Sequence, residues 1–146
     1  MSAIEQSASI LINQPLPKVF SFVADPGNFP LWQAFVTAAK VTSNGPIALG
    51  TTYDYSFKAM GMVIETSGVI TEFHTLNHFS YKTTSSPFPI QGGFRFKEVD
   101  GLVEVTAFGE AVPGEHFAMA KPVIDMLLGR ELKVMLGTLK EVLEST

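Results

Sequence analysis

The chain has 146 residues, no cysteine, and a formal net charge of −4 from 10 Lys+Arg against 14 Asp+Glu. The length sets one domain, 1–146, as the expectation and suffices for a sizeable core without staples. The missing cysteine excludes disulfides, thiol nucleophiles and thiolate metal sites, and the scarcity of cations without a basic cluster argues against a nucleic-acid binder. No apolar run reaches the roughly 18 residues of a membrane span. The opening MSAIEQSASILINQ has no basic n-region of a signal peptide, so cytoplasm is the expected compartment. The informative balance is 46% hydrophobic against 16% charged, where about 25% charged is usual. That apolar surplus can line an internal cavity, form a dimer interface, or thicken the core.

In chain order, Ser7 to Asn13 is short, apolar and β-branched, and predicts a strand. Pro15 and Pro17 end it, and Pro17 suits the first turn of a helix carrying Val19, Phe20, Phe22 and Val23. Asp25-Pro26-Gly27-Asn28 is a turn by its chemistry. Asn28 is placed to cap a second short helix that buries Leu31, Trp32, Phe35 and Val36. Period-two alternation then takes over. Strands are predicted over Ala38 to Ser43, Thr52 to Ala59, Val63 to Phe73, Phe79 to Ser85, Gly93 to Val99 and Leu102 to Ala111. The last two are joined by Asp100-Gly101, a strong hairpin signal.

Glu115 to Glu144 shows neither alternation nor a turn cluster and predicts one long helix, with Pro122 in its early turns. Its stripe is Phe117, Ile124, Leu128, Met135, Leu139 and Val142, widened by Val123, Leu127, Val134 and Leu136. Gly129 and Gly137 mark either a close approach by the sheet or room for a guest. The order is thus one strand, two short helices, six strands and a long helix. It is an α+β chain whose curved antiparallel sheet of about seven strands has one apolar face and one long element to cover it.

The words LPKVFSFVADPGNFPLW, GPIALGTTYDYSF, GVITEFHTLNHFSYKTTSSPFP and GGFRFKEVDGLVEVTAFGE, with the final helix, resemble the START-like (SRPBCC) superfamily. The similarity is to its polyketide cyclase/dehydrase and lipid-transport branch and spans nearly the whole chain. It implies a helix-grip fold, with the sheet wrapped around the C-terminal helix and a deep apolar cavity between them, and it implies binding of, or action on, hydrophobic small molecules. In such proteins the turn after Phe73 usually carries a Glu-Pro-Pro-like sequence; here it is His74-Thr75-Leu76-Asn77-His78.

No phosphate-binding loop, dinucleotide fingerprint, nucleophile elbow or zinc-protease motif occurs, so no cofactor and no metal is expected. His74 and His78 stand four apart, but across a strand–strand turn, and read as a solvated turn. His116, at the start of the long helix, reads as exposed, with an acid/base role at a pocket mouth as the alternative. The expected ligand-facing residues are Trp32, Phe35, Tyr53, Tyr55, Phe57, Ile64, Tyr81, Phe94, Phe96, Phe117, Ile124, Leu128, Glu131 and Met135, with Trp32 read first as a structural plug and only second as cavity wall. The tyrosine hydroxyls either converge on a guest or reach water at the rim. Glu131 either faces inward or lies at the stripe's edge, and Glu65 is similarly placed. Met60, Met62, Met119, Met126 and Met135 suit a deformable cavity or an ordinary core. The leading expectation is a binding protein for a hydrophobic or aromatic small molecule, lipid- or polyketide-like. The alternatives are an aromatase/cyclase-type enzyme using Tyr53, Tyr55, Tyr81 and Glu131, and a partner-regulating module or homodimer. Enzymatic activity is left open.

Overall fold

A computed structural model describes residues 4–59, 61–86, 89–111 and 121–145. The strands are β1 (Ile4–Ile12), β2 (Val36–Val41), β3 (Thr52–Ala59), β4 (Met62–His74), β5 (His78–Ser85), β6 (Ile90–Val99) and β7 (Leu102–Ala111). The helices are α1 (Leu16–Ala24), α2 (Phe29–Trp32) and α3 (Lys121–Glu144), with one 3-10 turn at Pro26–Asn28. The seven strands form one antiparallel sheet in the order β1-β7-β6-β5-β4-β3-β2. This is the helix-grip, START-like architecture: a curled half-barrel against a long C-terminal helix.

The meander from β2 to β7 follows from its turns. Asp100 and Gly101 both take positive φ (52° and 82°), the geometry that matches a tight turn to the twist of its strands. The sheet closes most tightly at Gly92-Gly93. A side chain there would collide with the carbonyl oxygens of Phe108 and Phe79, so this pair is confined to glycine by space. β1 returns beside β7, which leaves β1 and β2 as the edges and sends the α1–α2 segment across one end of the sheet.

That crossing explains the broken apolar run at residues 22–36. Asp25 accepts a hydrogen bond from the Gly27 N–H (2.9 Å) and caps the 3-10 turn. Asn28 does not cap α2 as expected; its amide donates to the Phe22 carbonyl (3.1 Å) and ties the turn back to α1. The two bends aim Phe20 and Trp32 into the sheet. Phe20 meets Phe73, Phe79 and Phe96 edge-on, with centroids 5.0–6.2 Å apart. Trp32 is fully buried between Phe29 and Phe94 (6.2 and 5.5 Å). Such pairs add to the large apolar area each ring buries.

α3 is about 36 Å long at about 1.5 Å per residue. Its C-terminal half is clamped to β1. Lys140 donates to the Leu11 carbonyl (2.8 Å), Gln14 donates to the Leu143 carbonyl (2.7 Å), and the Asn13 N–H donates to Glu144 (2.8 Å). Further up, Gln6 donates to Asp125 (2.9 Å), and Gly129 passes so near Gln6 that a side chain there would press on it. Gly129 therefore marks close approach to the sheet, whereas nothing lies near Gly137.

The buried face of α3 is Leu132, Met135, Leu136, Leu139 and Leu143. Val123 and Val134, expected to widen the stripe, are exposed (48% and 45%). The contact with β1 rotates the helix toward Leu132 and Leu143 and leaves those valines outside. Met62 and Met126 are also exposed, and Glu65 lies on the outer face. The part of the expected helix before Lys121, with Phe117, His116 and Met119, lies outside the described residues, as does Met60.

Truncation should therefore separate the two sides of α3. Leu139→Ala should lower stability by about 2–5 kcal/mol, and Val134→Ala should change it by no more than about 0.5 kcal/mol, both read from urea melts.

Candidate functional site

The aromatic layer fills only one end of the space between sheet and helix. Beyond it lies a cavity of about 310 Å³. Its floor is Tyr53, Tyr55 and Phe57 of β3 with Tyr81 of β5. The period of two along β3 puts its three rings on one face, where they follow one another at 5.8 Å. Its roof is the first three turns of α3 and a little beyond: Ile124, Leu127, Leu128, Glu131, Leu132 and Met135. The α2 end supplies Phe29, Gln33 and Phe35, and Lys58, Ile90 and Ala111 complete the lining.

Of the side chains expected to face a ligand, Phe35, Tyr53, Tyr55, Phe57, Tyr81, Ile124, Leu128, Glu131 and Met135 share this cavity. Trp32, Ile64, Phe94 and Phe96 do not line it. Trp32 is the plug beneath Phe29, and Phe94 and Phe96 stack against Phe79 (5.3 and 6.3 Å) in the filled end. Ile64 points inward but is buried (7% exposed) beside its cross-strand partner Phe57. Trp32, Phe94 and Phe96 belong to the core because the α1–α2 crossing packs on that end of the sheet, and Ile64 is part of the same buried cluster. Phe117 lies outside the described residues.

The sequence reading missed Phe29, Gln33, Lys58, Ile90, Ala111, Leu127 and Leu132. Gln33 is the consequential one. It is 8% exposed, follows Trp32 at the end of α2, and turns a side-chain amide toward an otherwise apolar wall. Its signal was a lone amide inside an apolar run.

The polar chemistry of the cavity is phenolic. The chain contains three tyrosines, and all three line this space. Burial pushes the Tyr81 phenol up to about 12 from its ordinary value of 10. Burial also raises Tyr53, with added repulsion from Tyr81 and Tyr55, and it raises Tyr55, with added repulsion from Tyr81. The Tyr53 and Tyr55 rings lie 5.8 Å apart, and all three hydroxyl-bearing rings line the same space. Among the described residues no protein group hydrogen-bonds to them. Tyr53 lies flat over Gly68, where a built Cβ would sit 2.7 Å from the ring and 2.8 Å from the hydroxyl oxygen. The phenols stay neutral well above physiological pH and offer O–H donors. Gln33 adds a donor and acceptor, and Glu131, half-buried on α3, adds a carboxylate.

Comparison with known proteins accords with this geometry. Residues 3–144 match the family described as polyketide cyclase/dehydrase and lipid transport, and the chain belongs to that family. Solved structures with the same fold include TTHA0849 from Thermus thermophilus (TM-score 0.83, 16% identity, covering 97% of this chain and 99% of that one). A START superfamily protein from Mycobacterium smegmatis gives 0.80 at 12% identity, covering 97% of each chain. The ZhuI aromatase/cyclase from Streptomyces sp. R1128 gives 0.78 at 11% identity, covering 94% of each. No match is found among curated protein sequences. Among the described residues, no helix is long and apolar enough to cross a membrane.

Because every tyrosine is in the cavity, alkaline difference absorbance reads this site alone. The unfolded chain ionises its phenols near pH 10, while the folded state retains their protons to higher pH. The stability held by neutral phenols is therefore complete below about pH 10 and is lost as pH rises through about 12. At 295 nm the native protein should show no phenolate step near pH 10, and phenolate should appear at higher pH together with loss of near-UV dichroism. A phenol titrating normally near pH 10 in the folded protein would contradict this burial.

Proposed function

We propose that the protein binds a hydrophobic or aromatic small molecule, lipid- or polyketide-like, in the cavity between β3, β5 and α3. The observation that carries this reading is the cavity: its volume of about 310 Å³ lies within the range of about 300–1,000 Å³ of small-molecule sites, and its walls are apolar with a few convergent polar groups. The apolar body of the ligand lies along Phe57, Ile124, Leu128 and Met135. Its hydroxyl or carbonyl meets the phenols of Tyr81, Tyr55 and Tyr53, with Gln33 nearby. Membership of the polyketide cyclase/dehydrase and lipid-transport family supports the ligand class.

A second reading, cyclisation of a poly-β-keto chain, is favoured by one specific feature: neutral phenols and the Glu131 carboxylate face the same cavity. In that chemistry a base takes a proton from the carbon between two carbonyls, and the carbanion adds to a third carbonyl. A phenol donates to the developing alkoxide, and water is then lost. The buried phenols are acids in this scheme and Glu131 is the available base. A neighbour of the same fold is an aromatase/cyclase. Incubation with a short poly-β-ketone, followed by mass spectrometry for loss of water, separates this reading from binding alone.

The binding reading is tested by calorimetry with 2-naphthol and naphthalene. The wild type should bind both, and 2-naphthol more tightly. Tyr81→Phe should weaken 2-naphthol roughly two- to tenfold, matching one lost hydrogen bond of about 0.5–1.5 kcal/mol, while leaving naphthalene within about twofold. Leu128→Phe should reduce both affinities without the loss of about 1–3 kcal/mol seen when a filled core is overpacked. If neither compound binds, or Leu128→Phe destabilises like a core insertion, the cavity does not serve as a binding site.

A further inference from the structure

The β4–β5 hairpin carries chemistry that the cavity does not use. His74 and His78 close this hairpin as a directly paired cross-strand couple. Phe73 and Phe79, the next pair along, point inward to the aromatic layer, so alternation sends both histidines to the outer face. Their rings stand 4.4 Å apart at 33°. Glu72 reaches the same spot, its Oε2 3.4 Å from His78 Nε2. One ligand atom from each of Glu72, His74 and His78 falls within 4.8 Å of the others.

From this arrangement we infer that Glu72, His74 and His78 form a surface site for a divalent late first-row metal ion, with Zn²⁺ as the reference ion, distinct from the apolar cavity.

Three observations bear on it. The first is the tautomer of His78. Its Nδ1 lies 2.9 Å from the Asn77 side-chain carbonyl oxygen. With Nδ1–H donating to that oxygen, Nε2 is the ring nitrogen that faces Glu72 Oε2. A cation between the two, a proton or a metal ion, holds that contact, and a metal ion can also engage the His74 imidazole, whose ligand atom lies within 4.8 Å of both. The second is spacing. Two ligands each about 2.0–2.1 Å from a tetrahedral zinc are about 3.4 Å apart, the separation seen between His78 Nε2 and Glu72 Oε2. The Asn77–His78 hydrogen bond is the outer-shell contact that orients metal-ligating histidines.

The third is a stiff frame whose paired cation is turned away. The Asn77 N–H donates to the His74 carbonyl (2.9 Å), and the Asn77 carbonyl accepts from the Phe96 N–H (2.8 Å). Arg95 is the cross-strand neighbour of His78, but its guanidinium lies over the Phe108 ring at 4.4 Å. With three protein ligands and open positions for water, the site suits Zn²⁺, Ni²⁺ or Cu²⁺ and not the hard, oxygen-seeking Mg²⁺ or Ca²⁺.

The test is calorimetry of the full, untagged chain with Zn²⁺, and separately with Mg²⁺. One Zn²⁺ should bind saturably, and Mg²⁺ should give no binding. His74→Gln and His78→Gln should each weaken Zn²⁺ at least about tenfold, and Asn77→Ala about tenfold through the lost orienting bond. His116→Gln, which removes the chain's third histidine, should leave it unchanged. Zinc should also move the imidazole proton resonances of His74 and His78 in the unmutated protein, a readout that does not depend on any variant folding. Absence of saturable one-to-one binding overturns the site. So does binding that survives the His74 and His78 substitutions, or zinc shifts confined to other residues.

Discussion

One long helix must cover the concave face of seven strands, and it cannot fill it. Everything else in the fold answers that mismatch. α3 is wide enough to seal the β1 side, where Leu136 and Leu139 are buried and backbone and side-chain bonds to Leu11, Asn13 and Gln14 hold it in place. Elsewhere the concave face needs other mass. The α1–α2 crossing delivers it as rings: Phe20 and Trp32 go in from above, and Phe79, Phe94 and Phe96 rise from the strands. Rings are the efficient filler, since each removes a large area from water in a fixed shape. Among the described residues the Trp32 indole N–H has no hydrogen-bond partner, a cost of about 1–3 kcal/mol that the packing of its ring must offset.

What the rings leave unfilled becomes the cavity, and its polar lining follows from the same geometry. β3 turns every second residue inward. Two of those three are tyrosines whose hydroxyls lack partners among the described residues, and Tyr81 arrives from β5. These hydroxyls open onto the cavity, where they are donors available to an acceptor. Burial holds the phenols protonated, which makes them donors and not bases. Family membership gives the broad class of compounds concerned.

The fold was largely legible because its signals are local. Alternation in Thr52 to Ala59 and the Asp100-Gly101 turn each specify their element without help from distant residues. The break before Trp32 was legible in the turn chemistry of Asp25-Pro26-Gly27-Asn28. What could not be read locally was the rotation of α3, which depends on a docking contact between Gly129 and Gln6, near opposite ends of the chain. Val123 and Val134 look like core on a helical wheel but face outward for that reason. Trp32, Phe94 and Phe96 share the inward face with the cavity residues, and alternation cannot say which inward side chains meet another ring and which meet space. Gln33 was hidden by the apolar run around it. The His74–His78 pairing depended on the loop closing with Leu76 at positive φ, a conformation that leucine rarely signals.

The central claim is that an apolar guest sits between β3, β5 and α3, with its polar end at the phenols. Methyl-labelled NMR with 2-naphthol tests it by position. The account predicts ligand-to-protein NOEs to the methyls of Ile124, Leu128 and Met135 and to the ring protons of Tyr81, with the buried methyls of Val19 and Leu139 silent. NOEs confined to exposed Leu31, Leu49 or Met126, or none at all at saturating ligand, would contradict it.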